Sequence, residues 1–131
     1  MSDHENARRY LAMADRDLRA VHGMLDSSVF AEEVFGFHAQ QAAEKALKAW
    51  LCMAGVPFRK VHDLEALLNL LTDAKEDNVS QFVNLIHLTE FAVDLRYASP
   101  DLPLMVLDRS GVAREVKALL EFVRARVQQE G

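Results

Sequence analysis

Apolar positions in this chain recur every three or four residues over most of its length, the spacing of amphipathic helices. Ala7, Tyr10, Leu11, Ala14, Leu18, Val21 and Leu25 form a first stripe, with Arg8, Arg9, Asp15, Arg16 and Arg19 mainly outside it. Ser2 followed by Glu5 reads as a capping box, so this helix is predicted to open almost at residue 1. Asp26, Ser27 and Ser28 interrupt the pattern. Ser28 is the predicted cap of a second helix, with Glu32 and Glu33 in its first turn and an end near Ala54 set by Gly55 and Pro57. His62 or Asp63 then caps a shorter helix that turns Leu64, Leu67, Leu68 and Leu71 inward. A fourth helix is predicted from about Val79 to Tyr97. It is apolar on more than one side (Phe82, Val83, Leu85, Ile86, Leu88, Phe91, Ala92, Val93, Leu95), as expected of a helix central in a bundle or shared with a second subunit. Asp108 caps the last helix, whose stripe is Val112, Val116, Leu119, Leu120, Val123 and Val127. No strand alternation or internal repeat interrupts these helices. The expected fold is all-α, an up-and-down bundle of four long helices plus one short helix, in a single domain spanning 1–131.

The second helix sorts its faces differently from the others. Ala39, Ala42, Ala43, Ala46 and Ala49 offer a nearly bare surface that a neighbouring helix can approach closely, while Gln41, Glu44, Lys45 and Lys48 recur at three- and four-residue spacings. On spacing alone the polar stripe has two readings. It is a solvated face in which Glu44 pairs with Lys48, or a groove in which lysines meet phosphates and amides meet a base or sugar.

Composition narrows the classes. The 131 residues carry a formal net charge of −5, so non-specific binding of nucleic acid through bulk charge is not expected, although a local basic site is compatible with it. The single cysteine, Cys52, cannot build a disulfide framework or a zinc site and sits in an apolar helical segment, where a thiol is inert. No stretch resembles a signal peptide or reaches the length of a membrane span, and a cytoplasmic protein is expected.

Glu-x-x-His, the metal pair of helical-bundle di-iron sites, is absent, and no cofactor is expected. His87, Glu90 and Asp94 share a helix side and make one weak metal site conceivable, with a solvated acidic stripe as the simpler reading. There is no Gly-rich phosphate loop and no G-x-S-x-G nucleophile motif. Two further positions carry candidate chemistry. With Asp63 sufficient as a cap, His62 is free to face solvent or a groove as acid, base or phosphate donor. Arg96 and Tyr97 follow a long apolar run. Arg96 either complements a helix C-terminus or holds its planar fork toward a phosphate or carboxylate.

The order of Phe37-His38-Ala39-Gln40-Gln41-Ala42-Ala43-Glu44-Lys45-Ala46-Leu47-Lys48, then Gly55, His62-Asp63-Leu64 and Arg96-Tyr97 closely resembles the HEPN (higher eukaryotes and prokaryotes nucleotide-binding) domain family. The resemblance spans nearly the whole chain. It implies a five-helix bundle, a homodimer, and a small nucleotidyltransferase as partner in a two-component or toxin–antitoxin pair. It also places Gln41, Glu44, Lys45, Lys48, His62, Arg96 and Tyr97 at the family's recurrent polar positions, the walls of a nucleotide-binding groove. Ribonuclease members carry Arg, four to six residues, then His late in the bundle. No His follows Arg96 here, and the Arg16–His22 pair with that spacing lies in the first helix. The resemblance therefore implies a non-catalytic module binding a nucleotide of the ATP or GTP class. Lys45, Lys48 and Arg96 would meet phosphates, Gln41 and Glu44 the base or ribose, and His62 and Tyr97 would shape the groove. A metal-independent ribonuclease that uses His62 and Arg96 on RNA, and a pure protein-interaction module, are the alternatives.

Overall fold

The central element of the structure, a computed structural model that describes residues 3–92 and 106–130, is the alanine-rich second helix. This helix, α2 (Glu32–Met53), packs against α1 (Asp3–Gly23), α3 (Leu64–Asp73), a 3-10 helix (Val79–Phe91) and α4 (Arg109–Glu130). Every residue from Ala46 to Cys52 is buried. Small side chains are what permit so many neighbours: Ala39, Ala42, Ala43, Ala46 and Ala49 of α2, with Ala7 and Ala14 of α1, have no exposed surface at all. Asp17 meets His38, and Tyr10 lies near the far end of α2, so α1 and α2 run antiparallel. His4 bonds the Val127 carbonyl while Arg109 bonds that of Met24, which makes α4 antiparallel to α1 as well. The all-α architecture stands, and the described residues contain no strand.

The helix ends follow local chemistry. The stop at Gly55 is as expected. Gly55 adopts φ 69°, its N–H donates to the Cys52 carbonyl and that of Val56 to the Leu51 carbonyl, the paired bonds of a Schellman ending. Asp63 caps α3 by accepting from the Glu65 N–H, and Asp108 accepts from the Gly111 N–H at the start of α4. Ser28 does not cap α2. Its N–H and hydroxyl both donate to Asp26 Oδ1, closing a local turn, and Ala31 takes the cap position without a side-chain bond. Ser2 lies outside the described residues.

The fourth expected helix differs in kind. Val79–Phe91 winds as a 3-10 helix, with three residues per turn, and its buried residues are Val79, Phe82, Leu85, Leu88 and Phe91. That is an unbroken spacing of three. Apolar residues that cover two sides of an α-helix thus fall mostly on one, leaving Val83 exposed and Ile86 half-buried. Centrality belongs to α2. Phe91 ends the 3-10 helix against Gly36, where an added Cβ would stand 2.2 Å from the phenyl Cδ1. The missing side chain is what admits the ring.

Two polar clamps fix the bundle. Arg109, 6% exposed, donates from Nε and Nη2 to Glu32 Oε1, from Nη1 to the Met24 carbonyl and from Nη2 to the Phe30 carbonyl, with its guanidinium over the Phe35 ring. The other Glu32 oxygen accepts from the Leu107 N–H. The start of α4 is thereby tied to the α1–α2 connection. At the other end, Glu76 Oε1 accepts from Trp50 Nε1 and Arg126 Nη1, joining α2 and α4 through the loop after α3, beside a Trp50–Phe82–Phe122 aromatic cluster.

A buried carboxylate as the candidate functional site

Centrality has a consequence for the polar stripe of α2. Its middle is inside the protein. Glu44 and Gln40 have no exposed surface and Lys48 is 6% exposed, so the solvated-face reading is overturned. Three buried polar side chains in one helix require partners, and they have them, since no buried side-chain nitrogen or oxygen among the described residues lacks a hydrogen bond. Gln40 Nε2 donates to Glu44 Oε1 at 2.9 Å and to the His62 carbonyl at 3.0 Å. His62 Nδ1 meets the same Oε1 at 2.9 Å. Lys48 Nζ donates to Oε2 at 3.0 Å, and Lys45 Nζ lies 3.5 Å from it. Gln41 Nε2 completes the chain on Gln40 Oε1 at 2.7 Å.

Glu44 is thus the hub. Burial alone would push its carboxyl up; hydrogen bonds from Gln40, His62 and Lys48, with the charge of Lys48, outweigh that and hold it below the usual carboxylate range. An ionised Glu44 accepts at Nδ1, so His62 carries its proton there and turns Nε2 outward on a side chain that is 51% exposed. The loop-to-helix junction makes this possible. Asp63 takes the capping duty and leaves His62 to reach back to α2. Two ammonium groups share one carboxylate, so the cluster keeps one positive charge even with His62 neutral. The groups it offers outward are the half-buried Gln41 and Lys45 and the exposed His62.

Five of the seven residues singled out in the sequence therefore meet in one cluster. Arg96 and Tyr97 lie outside the described residues, as does Asp94 of the conceivable metal trio; among the described residues no three His, Cys, Asp or Glu side chains converge as a metal site would require. Gln40 was missed. It sits four residues before Glu44, a spacing that pairs them.

Lys48 Nζ also lies 6.0 Å from the centroid of the Phe58 ring. Phe58 is in addition a wall of a cleft of about 550 Å³ between the start of α1 and the end of α2. The cleft includes Cys52, one helical turn beyond Lys48, and burial pushes the Cys52 thiol up.

The model of the HEPN domain matches residues 5–129. The chain belongs to the HEPN family. No curated protein and no solved structure matches it. In this HEPN chain the polar stripe of α2 and the HDL segment are not separate motifs but one hydrogen-bonded unit, closed through Glu44. No helix among the described residues is long and apolar enough to cross a membrane.

Proposed function

We propose that this HEPN domain binds a nucleotide of the ATP or GTP class, as a non-catalytic module acting in a homodimer beside a small nucleotidyltransferase. Family membership supports the ligand class, and the resemblance of the motifs supports the partner and the dimer. The observation that carries the reading is the Glu44-centred cluster with its residual positive charge. A buried, saturated carboxylate does not greet a ligand; it fixes the cations that do. In this reading Lys45, Gln41 and the outward Nε2 of His62 contact phosphate, Lys48 supplies charge from behind, and Glu44 acts through them rather than on base or ribose. The family resemblance assigns Arg96 to phosphate and Tyr97 to shaping the groove.

Calorimetric titration with ATP and GTP tests this. Binding in the wild type should weaken by about tenfold in Lys45→Ala and in His62→Ala, the cost of a charge-assisted hydrogen bond. No heat at millimolar nucleotide, or equal affinity in both variants, would sink the proposal. One observation favours a second reading. His62 Nδ1 held by a carboxylate, on a side chain that is 51% exposed, is the arrangement of an oriented general base. RNA cleavage by the purified protein, lost in His62→Ala, would move the chain to the metal-independent ribonucleases with Arg96 as the phosphate-orienting partner.

A further inference from the structure

The cleft beside the cluster has no role in the reading above, yet a continuous row leads into it. Gln41, Lys45, Lys48 and Cys52 follow one another along α2 at spacings of four, three and four, a single stripe of the helix, and Cys52 lies in the cleft wall. Phe58 stands at the boundary, facing the Lys48 ammonium on one side and lining the cleft on the other. Its volume of about 550 Å³ is within the range of small-molecule sites.

The lining is two-sided. Tyr10 and Phe58, with ring centroids 6.0 Å apart and planes inclined by 60°, supply aromatic faces, and Met13 and Pro57 extend the apolar wall. Asp3, Asn6 and Arg9, one turn apart in succession on α1, supply the polar edge. Aromatic faces for stacking and an amide for hydrogen bonding are what a heterocyclic base requires. The donor and acceptor of an Asn amide match the N6 and N7 of adenine, and a carboxylate accepts from an exocyclic amine. Burial pushes the Tyr10 phenol up, and Cys52 in the cleft wall and Glu44 in the cluster both add to the shift, so cluster and cleft share one electrostatic neighbourhood.

We propose that this cleft is the base-binding half of the nucleotide site: a purine seated against Phe58 and Tyr10 with its edge toward Asn6 and Asp3, and its phosphates directed along the α2 row to Lys45 and His62. The assignment rests on the phosphate reading of the Glu44 cluster, and it adds the seat of the purine base and a second wall built from α1.

The two halves can be tested separately on the full chain. Calorimetry would compare ATP, GTP and UTP with tripolyphosphate and with adenosine and guanosine, while the Met13 methyl resonance reports on the cleft. A purine nucleotide should bind at least tenfold more tightly than tripolyphosphate or UTP and shift the Met13 methyl. Phe58→Ala should lose about tenfold for that nucleotide, the scale of base–aromatic stacking. Phe58 is also packed against the core, so Asn6→Ala, on the half-buried edge of α1, is the cleaner variant. It should weaken ATP or GTP severalfold and leave tripolyphosphate binding unchanged. Equal affinity for ATP, GTP and tripolyphosphate with a silent Met13 overturns the base site and leaves the phosphate reading standing. UTP binding as tightly as ATP and GTP overturns the purine assignment. A nucleoside that shifts Met13 while tripolyphosphate does not bind supports the cleft and removes the phosphate reading. Absence of binding by every ligand overturns both.

Discussion

Replacing Glu44 with alanine removes the acceptor shared by four donors and strands the Lys48 ammonium, 6% exposed, inside the bundle. Breaking a buried ion pair from one side costs about 3–5 kcal/mol, because the remaining charge keeps its desolvation penalty and loses its compensation. Gln40 retains its bond to the His62 carbonyl and His62 can turn to water, so neither adds much. Lys45, already partly exposed, adds nothing comparable. For a chain of 131 residues each kcal/mol shifts the melting temperature by roughly 3–4 °C, so Glu44→Ala should melt about 9–20 °C lower. The companion variant discriminates. Glu44→Leu with Lys48→Met removes both charges at similar volume and should recover most of the loss, to within about 1–2 kcal/mol of wild type, while losing the charge assigned to phosphate. Urea unfolding with matched m-values gives both numbers. Glu44→Ala melting within 3 °C of wild type, or a double variant no more stable than the single one, would refute the account of Glu44 as a buried hub.

Two other outcomes follow from geometry already described. Gly36→Ala should destabilise by about 1–3 kcal/mol, even though alanine favours helix by about 1 kcal/mol, because its Cβ would overlap the Phe91 ring at 2.2 Å; urea midpoints of Gly36→Ala alone and combined with Phe91→Leu should show the cost fall in the pair. For pH, the carboxyls of Glu44 and Glu32 lie below their ordinary value of 4.5: in each, burial opposes the shift and is outweighed, at Glu44 by Gln40, His62 and Lys48, at Glu32 by the Leu107 N–H and Arg109. A depressed folded-state pKa stabilises fully above the unfolded value, so stability should hold above about 4.5 and decline as pH falls through the folded values. Denaturation midpoints measured from pH 6 to pH 3 should therefore fall more steeply in wild type than in Glu44→Gln; parallel curves would contradict it.

Much of this was legible in the sequence. The inward residues of α1 and α4 emerge from the three-and-four spacing, and the ends at Gly55, Asp63 and Asp108 emerge from capping chemistry; the exceptions are Leu25, which is exposed, and Ser28, whose partner Asp26 lay close enough to capture it. The polar stripe of α2 was visible, but not its burial. Periodicity ranks faces within a helix and does not say how many neighbours surround it, and a helix enclosed on nearly every side has no solvent face to reserve for Glu44. Gln40 was lost for the same reason. Long-range partners such as Arg109 and Glu32, 77 residues apart, leave no local pattern at all. The winding of Val79–Phe91 is ambiguous in the sequence, because its many apolar residues satisfy the α period as well, although the spacing 79, 82, 85, 88, 91 fits three more closely.

That winding also fixes how far the segment reaches. A 3-10 helix advances about 2.0 Å per residue against about 1.5 Å in an α-helix, so the twelve steps from Val79 to Phe91 cover about 24 Å rather than about 18 Å. Rewound as an α-helix the segment would fall about 6 Å short, and its last side chain would be rotated by about 120° relative to its first. Phe91 would then miss the notch at Gly36. A glycine near the start of one helix thus measures the length of another.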